Sequence, residues 1–132
     1  DLSGNLRPLN IERAWQNLDF ERQEAYVERE LCPKPSTLRE GEGWREVLVG
    51  MHDKLFYAVH RYEFSGHITA ETAGHCHILN VVEGQAVAVE TANGFRTEFS
   101  FAETFVIPAA AGSYRLSALG GQPAKVVVAF VK

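Results

Sequence analysis

From Trp44 onward apolar and polar positions alternate with a period of two, and Gly, Asn, Asp or Pro interrupts the pattern every few residues. That is the mark of short strands with one buried face. Residues 44–51, 55–64, 68–72, 75–82, 86–91, 95–99, 104–107, 114–119 and 124–131 read as strands, rich in Val, Phe, Tyr and Thr. Glu83-Gly84 supplies a turn between two of them, and Asn93-Gly94 a tight hairpin in which both central residues take positive φ. Short strands at this spacing predict a sandwich or barrel. Ahead of Trp44 the pattern differs. Asn10 reads as the cap of one short helix, because Ile11, Ala14, Trp15 and Leu18 follow at helical spacing. Residues 19–30 carry more charge than apolar surface, with Phe20, Tyr26 and Val27 as anchors for an extended segment, and Pro33 and Pro35 stop any helix. Residues 1–43 are therefore expected to be an arm, a short helix and a linker that pack on a barrel of residues 44–132.

Composition narrows this picture. At 132 residues, 45% hydrophobic and 23% charged, the chain suits one globular domain with a real core. A formal net charge of -4 and the lack of a basic stripe argue against a nucleic-acid partner. The longest apolar runs, 126–131 and 105–111, are too short to span a bilayer, and Pro108 interrupts the second, so no membrane partner is expected. No secretory signal is read at the start. Asp1 stands where an initiator methionine would, which leaves open a longer gene product or processing. Cys32 lies in a Pro-rich loop and Cys76 in a strand, so no disulfide is assumed; free thiols in a reducing cytoplasm are the expectation.

The candidate chemistry centres on Gly74-His75-Cys76-His77. In a strand, His75 and His77 share a face while Cys76 points the other way, which removes Cys76 as a nucleophile activated by either imidazole. Glu71, with His67 further upstream, adds a carboxylate near the pair. Divalent ions such as zinc accept that mixture of oxygen and nitrogen donors, so Glu71, His75 and His77 form one candidate metal set. The alternative is a pair of hydrogen-bonded imidazoles in a barrel mouth without an ion. Elsewhere, His60 shares its strand face with Ala58 and Tyr62 and reads as a core or cross-strand histidine. His52 beside Asp53 reads as an exposed turn residue. Arg61, Arg96, Arg115 and Lys125 read as solvated or Glu-paired cations, and Trp15 and Trp44 as plugs for the core.

The succession of His75-Cys76-His77, apolar strand, Glu83-Gly84, Asn93-Gly94 and Phe105-Val106-Ile107-Pro108-Ala109 resembles the cupin double-stranded β-helix. The expected fold is therefore all-β, a cupin jelly roll with one short N-terminal helix and an extended arm. Arg7-Pro8-Leu9-Asn10-Ile11-Glu12-Arg13-Ala14, followed by Leu18-Asp19-Phe20, is similar to the segment that leads into the C-terminal cupin domain of class I mannose-6-phosphate isomerases. The wording from His77 to Gly84 and Ile107-Pro108-Ala109 resembles that domain as well. The chain departs from the metal-binding cupin motif: counted back from Gly84, His77 takes the glutamate position, while Glu71 and Ala73 take the histidine positions. In the second motif the histidine position falls near Ser113 or Tyr114.

The resemblance implies a parent protein that interconverts mannose 6-phosphate and fructose 6-phosphate with a metal, its zinc ligands and proton-transfer residues lying in a preceding catalytic cupin. This chain would then be an accessory, non-catalytic module. The implied partners are a sugar phosphate and either a second copy or an upstream catalytic domain. A second reading is a self-sufficient small cupin that binds a divalent metal or a sugar-like ligand through His75, His77 and Glu71, with Tyr114 as a further ligand-binding residue and Glu71 as the base.

Overall fold

The computed structural model describes residues 4–6, 8–32, 34–50 and 55–132. Arg7, which opens the isomerase-like segment, Pro33, Met51 and the His52-Asp53 turn lie outside the described residues. Two compact units divide at Cys32.

In the first unit, helix α1 spans Ile11–Asn17. The expected cap Asn10 makes no side-chain bond; its carbonyl accepts the Ala14 N–H at 3.0 Å. Trp15, expected to plug a core, is exposed and stacks on Phe20 at 5.6 Å between ring centroids. The extended segment expected for residues 19–30 is also corrected. A second short helix, α2, begins at Glu24–Tyr26 and continues as a wider helical turn over Val27–Leu31. Strong helix formers (Glu24, Ala25, Glu28, Arg29, Glu30 and Leu31) override the polar character of this stretch. Arg22 and Arg29 sit over the Tyr26 ring from the neighbouring turns, at 5.6 and 5.9 Å.

Among its described residues the second unit holds ten strands: β1 Ser36–Gly41, β2 Trp44–Gly50, β3 Tyr57–Phe64, β4 His67–Glu71, β5 His77–Glu83, β6 Ala86–Thr91, β7 Arg96–Ser100, β8 Thr104–Ile107, β9 Ser113–Leu119 and β10 Ala124–Val131. One sheet runs β1-β2-β3-β10-β5-β8 and the other β4-β9-β6-β7, and every pairing is antiparallel. Alternate residues of the two sheets meet in a single core. Leu79, Val81, Val126 and Val128 come from the first sheet, and Ile68, Val87, Val89 and Leu116 from the second. Phe99 and Phe105 join the sheets by stacking with centroids 3.9 Å apart. Trp44 packs against this core as expected.

Strand β1 replaces the end of the expected linker. It pairs with β2 from Ser36↔Leu48 to Gly41↔Trp44, closing through Glu42-Gly43 with Gly43 at φ 73°. Every residue of β1 is exposed, so no apolar alternation announces it. The hairpin at Asn93-Gly94 exists in a different form. Gly94 alone takes positive φ, while the Asn93 side chain accepts hydrogen bonds from Phe95 N–H at 3.2 Å and the Thr91 hydroxyl at 2.6 Å. The Asx-type bonds let a longer loop do the work of a two-residue turn. Gly84 is required where it stands: at φ 96°, a Cβ would lie 3.0 Å from the Pro123 carbonyl oxygen. No described helix is long and apolar enough to cross a membrane.

Candidate functional site

Polar side chains converge at one mouth of the barrel, where β1, β2, β3 and β10 of the first sheet face the β4–β5 connection. The starting point is Glu46. It shares parity with the half-buried Trp44 and Leu48 on β2, and its carboxylate turns inward with them; Glu46 is only 7% exposed. A buried carboxylate needs partners. Arg39, its direct cross-strand neighbour on β1, bonds one oxygen through Nε. His60, diagonally across on β3, meets the other with Nδ1 at 2.6 Å. Burial pushes the Glu46 carboxyl up, but the hydrogen bonds from His60 and Arg39 outweigh it and hold the group below its ordinary value. Arg39 is spread further: Nη2 reaches the Thr69 carbonyl at 3.4 Å, and the guanidinium lies 5.4 Å from the Trp44 ring centroid.

The second imidazole is fixed from the opposite side. His77, the first residue of β5, is buried, with Nδ1 2.8 Å from the Tyr114 hydroxyl. Tyr114 in turn hydrogen-bonds Tyr62, and both phenols are buried. Burial, then the Glu46 charge, pushes the Tyr62 hydroxyl up to about 12, so it stays protonated. His77 is pushed below its usual value, first by burial and then by neighbouring His75 and His60, which leaves a neutral imidazole at pH 7.

His75 is set by a turn and lies just before β5, which begins two residues later than the sequence pattern suggests. Ala73 and Gly74 take φ of 50° and 85° in succession, and the His75 N–H closes on the Thr72 carbonyl at 2.9 Å. Thr72 anchors the turn through its hydroxyl to the Ala109 carbonyl and its N–H to the Gly112 carbonyl, each 2.8 Å. At the centre lies Phe130 of β10. Its ring centroid is 4.9 Å from that of His60, 5.1 Å from His77 and 6.4 Å from His75. Together these groups line a cavity of about 170 Å³.

Of the residues singled out in the sequence, Glu71, His75 and His77 do border this one cavity, with Glu71 exposed at its rim. Cys76 is exposed. Tyr114 stands behind His77 as its hydrogen-bond partner, outside the cavity wall. His67 is exposed at the start of β4 and takes no part. His60 is the cross-strand histidine expected, and it borders the cavity as well. The residues not singled out are Arg39, Glu46 and Phe130. For Glu46 a signal existed in the inward parity of a charge within an apolar strand. A wider open cleft of about 290 Å³ near Trp44 holds Glu63, but its carboxylate is committed to Arg45 and Arg61.

Nδ1 of His60 and Nδ1 of His77 are engaged, which orients both rings, and Phe130 packs between the imidazoles. Among the described residues no three His, Cys, Asp or Glu side chains are placed to hold an ion.

No family model matches the sequence, and no curated protein does. Solved structures do. The mannose 6-phosphate isomerase of Bacillus subtilis superposes on 98% of this chain and 36% of its own, with a TM-score of 0.73 at 15% identity. A cupin-2 domain from Rhodospirillum rubrum covers 74% of this chain and 68% of its own, with a TM-score of 0.59 at 13% identity. The fold is the cupin jelly roll. The Cnp3 cupin domain of Schizosaccharomyces pombe agrees, over 67% of this chain and 61% of that one, with a TM-score of 0.55 at 11% identity. The chain thus spans less than two thirds of the Schizosaccharomyces pombe domain structure and about a third of the isomerase.

Proposed function

We propose that this chain is a cupin module of a mannose-6-phosphate isomerase-like protein, accessory to a catalytic domain elsewhere in the parent. The observation that carries this reading is the extent of the match. The Bacillus subtilis isomerase is similar over 98% of the chain, whereas the two cupin domains stop at 74% and 67%. The similarity therefore takes in most of the residues ahead of the barrel as well as the barrel itself. The isomerase-like wording of residues 7–14 and 77–84 supports the same parentage. In this proposal the sugar phosphate is turned over by the upstream domain, in the cytoplasm, where Cys32 and Cys76 remain thiols.

The non-catalytic part of the reading draws on the pocket. Two of its imidazoles are oriented by a carboxylate and a phenol, and among the described residues no three His, Cys, Asp or Glu side chains group to hold an ion that would polarise a sugar carbonyl. The test is a coupled assay for interconversion of mannose 6-phosphate and fructose 6-phosphate by the purified chain, with and without added zinc. Turnover at background in both conditions is expected. A zinc-dependent rate that disappears in His75→Ala/His77→Ala would overturn the proposal and favour a self-sufficient enzyme.

A further inference from the structure

We infer that the pocket between Glu46, His60, His77 and Phe130 binds a small uncharged polyol through the imidazole nitrogens that Glu46 and Tyr114 leave unengaged. This rests on reading the barrel as a non-catalytic accessory module, and it adds a class of ligand. Each histidine has one ring nitrogen committed: Nδ1 of His60 to Glu46 at 2.6 Å, and Nδ1 of His77 to Tyr114 at 2.8 Å. Such second partners fix an imidazole's orientation, and both rings line the cavity. The remaining nitrogen of each is either a lone pair or an N–H. A hydroxyl answers both, because it donates and accepts, whereas a phosphate oxygen only accepts from a donor and an ammonium only donates.

Charge points the same way. The one strong cation at the site, Arg39, is paired with the Glu46 carboxylate through Nε and reaches the Thr69 carbonyl with Nη2, so its charge is already matched by a carboxylate. Glu71 at the rim adds a carboxylate. An anionic ligand would enter a site whose positive charge is already neutralised. Phe130 lines the cavity and supplies complementary apolar surface for the C–H side of a polyol. Size sets the limit. About 170 Å³ holds the equivalent of roughly five or six waters, below the ~300 Å³ of drug-sized sites. That suits a three- or four-carbon polyol, or the end of an open-chain sugar. The turn that sets His75 places a non-glycine residue, Ala73, at φ 50°, a strained conformation of the kind that clusters at ligand sites.

The experiment is a titration of the full chain with erythritol, followed by the imidazole 15N and 1H resonances, with inorganic phosphate and mannose 6-phosphate as parallel arms. Saturable shifts of the His60 and His77 rings are expected with erythritol, with His67 unmoved and at least about tenfold weaker binding of either phosphate compound. His60→Gln should weaken erythritol about tenfold, the loss of one good hydrogen bond. Because Glu46 would then keep only Arg39, Phe130→Leu serves as a second variant that leaves the polar network in place, and it too should weaken erythritol. Shifts that grow linearly without saturation, or phosphate binding tighter than erythritol, would overturn the inference. Neither outcome bears on isomerase turnover, which is read separately.

Discussion

Glu46 and His77 are two buried titratable groups whose shifts act on stability in the same direction over different pH ranges. Glu46 is held below its ordinary 4.5 in the folded state. Its contribution is therefore complete above about pH 4.5 and is lost as pH falls through the lower folded value. His77 is held below its ordinary 6.5. Once pH drops under about 6.5 the unfolded chain takes up a proton that the folded chain resists, so stability declines from there as well. Urea midpoints measured from about pH 7.5 down to about pH 2.5 should fall in two stages. His77→Gln should flatten the upper stage and Glu46→Gln the lower one; a His77→Gln profile parallel to wild type would contradict the first assignment.

At the scale of elements, the β5–β6 connection at Gly84 shows how a single backbone position joins the two sheets. Gly84 follows β5 in one sheet and precedes β6 in the other, close against Pro123 just ahead of β10 and Ala124, its first residue. Gly84→Ala adds a Cβ both to a left-handed residue and to a 3.0 Å approach. A loss of about 1–3 kcal/mol by urea denaturation is expected. Nine of the ten strands were legible because alternation reports burial on one face: Leu79, Val81, Val126 and Val128 announce themselves. Strand β1 was not, because a strand exposed at every position has no face to report. Helix α2 was missed for a related reason: its helix formers carry no apolar stripe. The site was half legible. His75 and His77 stood out as a motif, but Arg39 and Glu46 meet only through the Arg39↔Glu46 register, and Phe130 arrives from a strand more than fifty residues later in the sequence. Long-range pairing of that kind leaves no local pattern.

For the molecule as a whole, strand order differs from sequence order where it matters most. β10 lies between β3 and β5 in the first sheet, pairing Val128 with His60 on one side and Leu79 on the other. Neither of those strands can acquire its inner neighbour until residues 124–131 are available, so loop closure of high sequence separation precedes any native centre. The same strand delivers Phe130 to the imidazoles. The pocket is therefore absent from any folding species that lacks β10 in place. A molecule bound there has nothing to grip at the folding barrier if β10 docks after it. Stopped-flow refolding should then run at one rate with or without erythritol, while unfolding in the same denaturant slows in proportion to occupancy. Acceleration of refolding by the ligand would instead put the docking of β10 before the barrier.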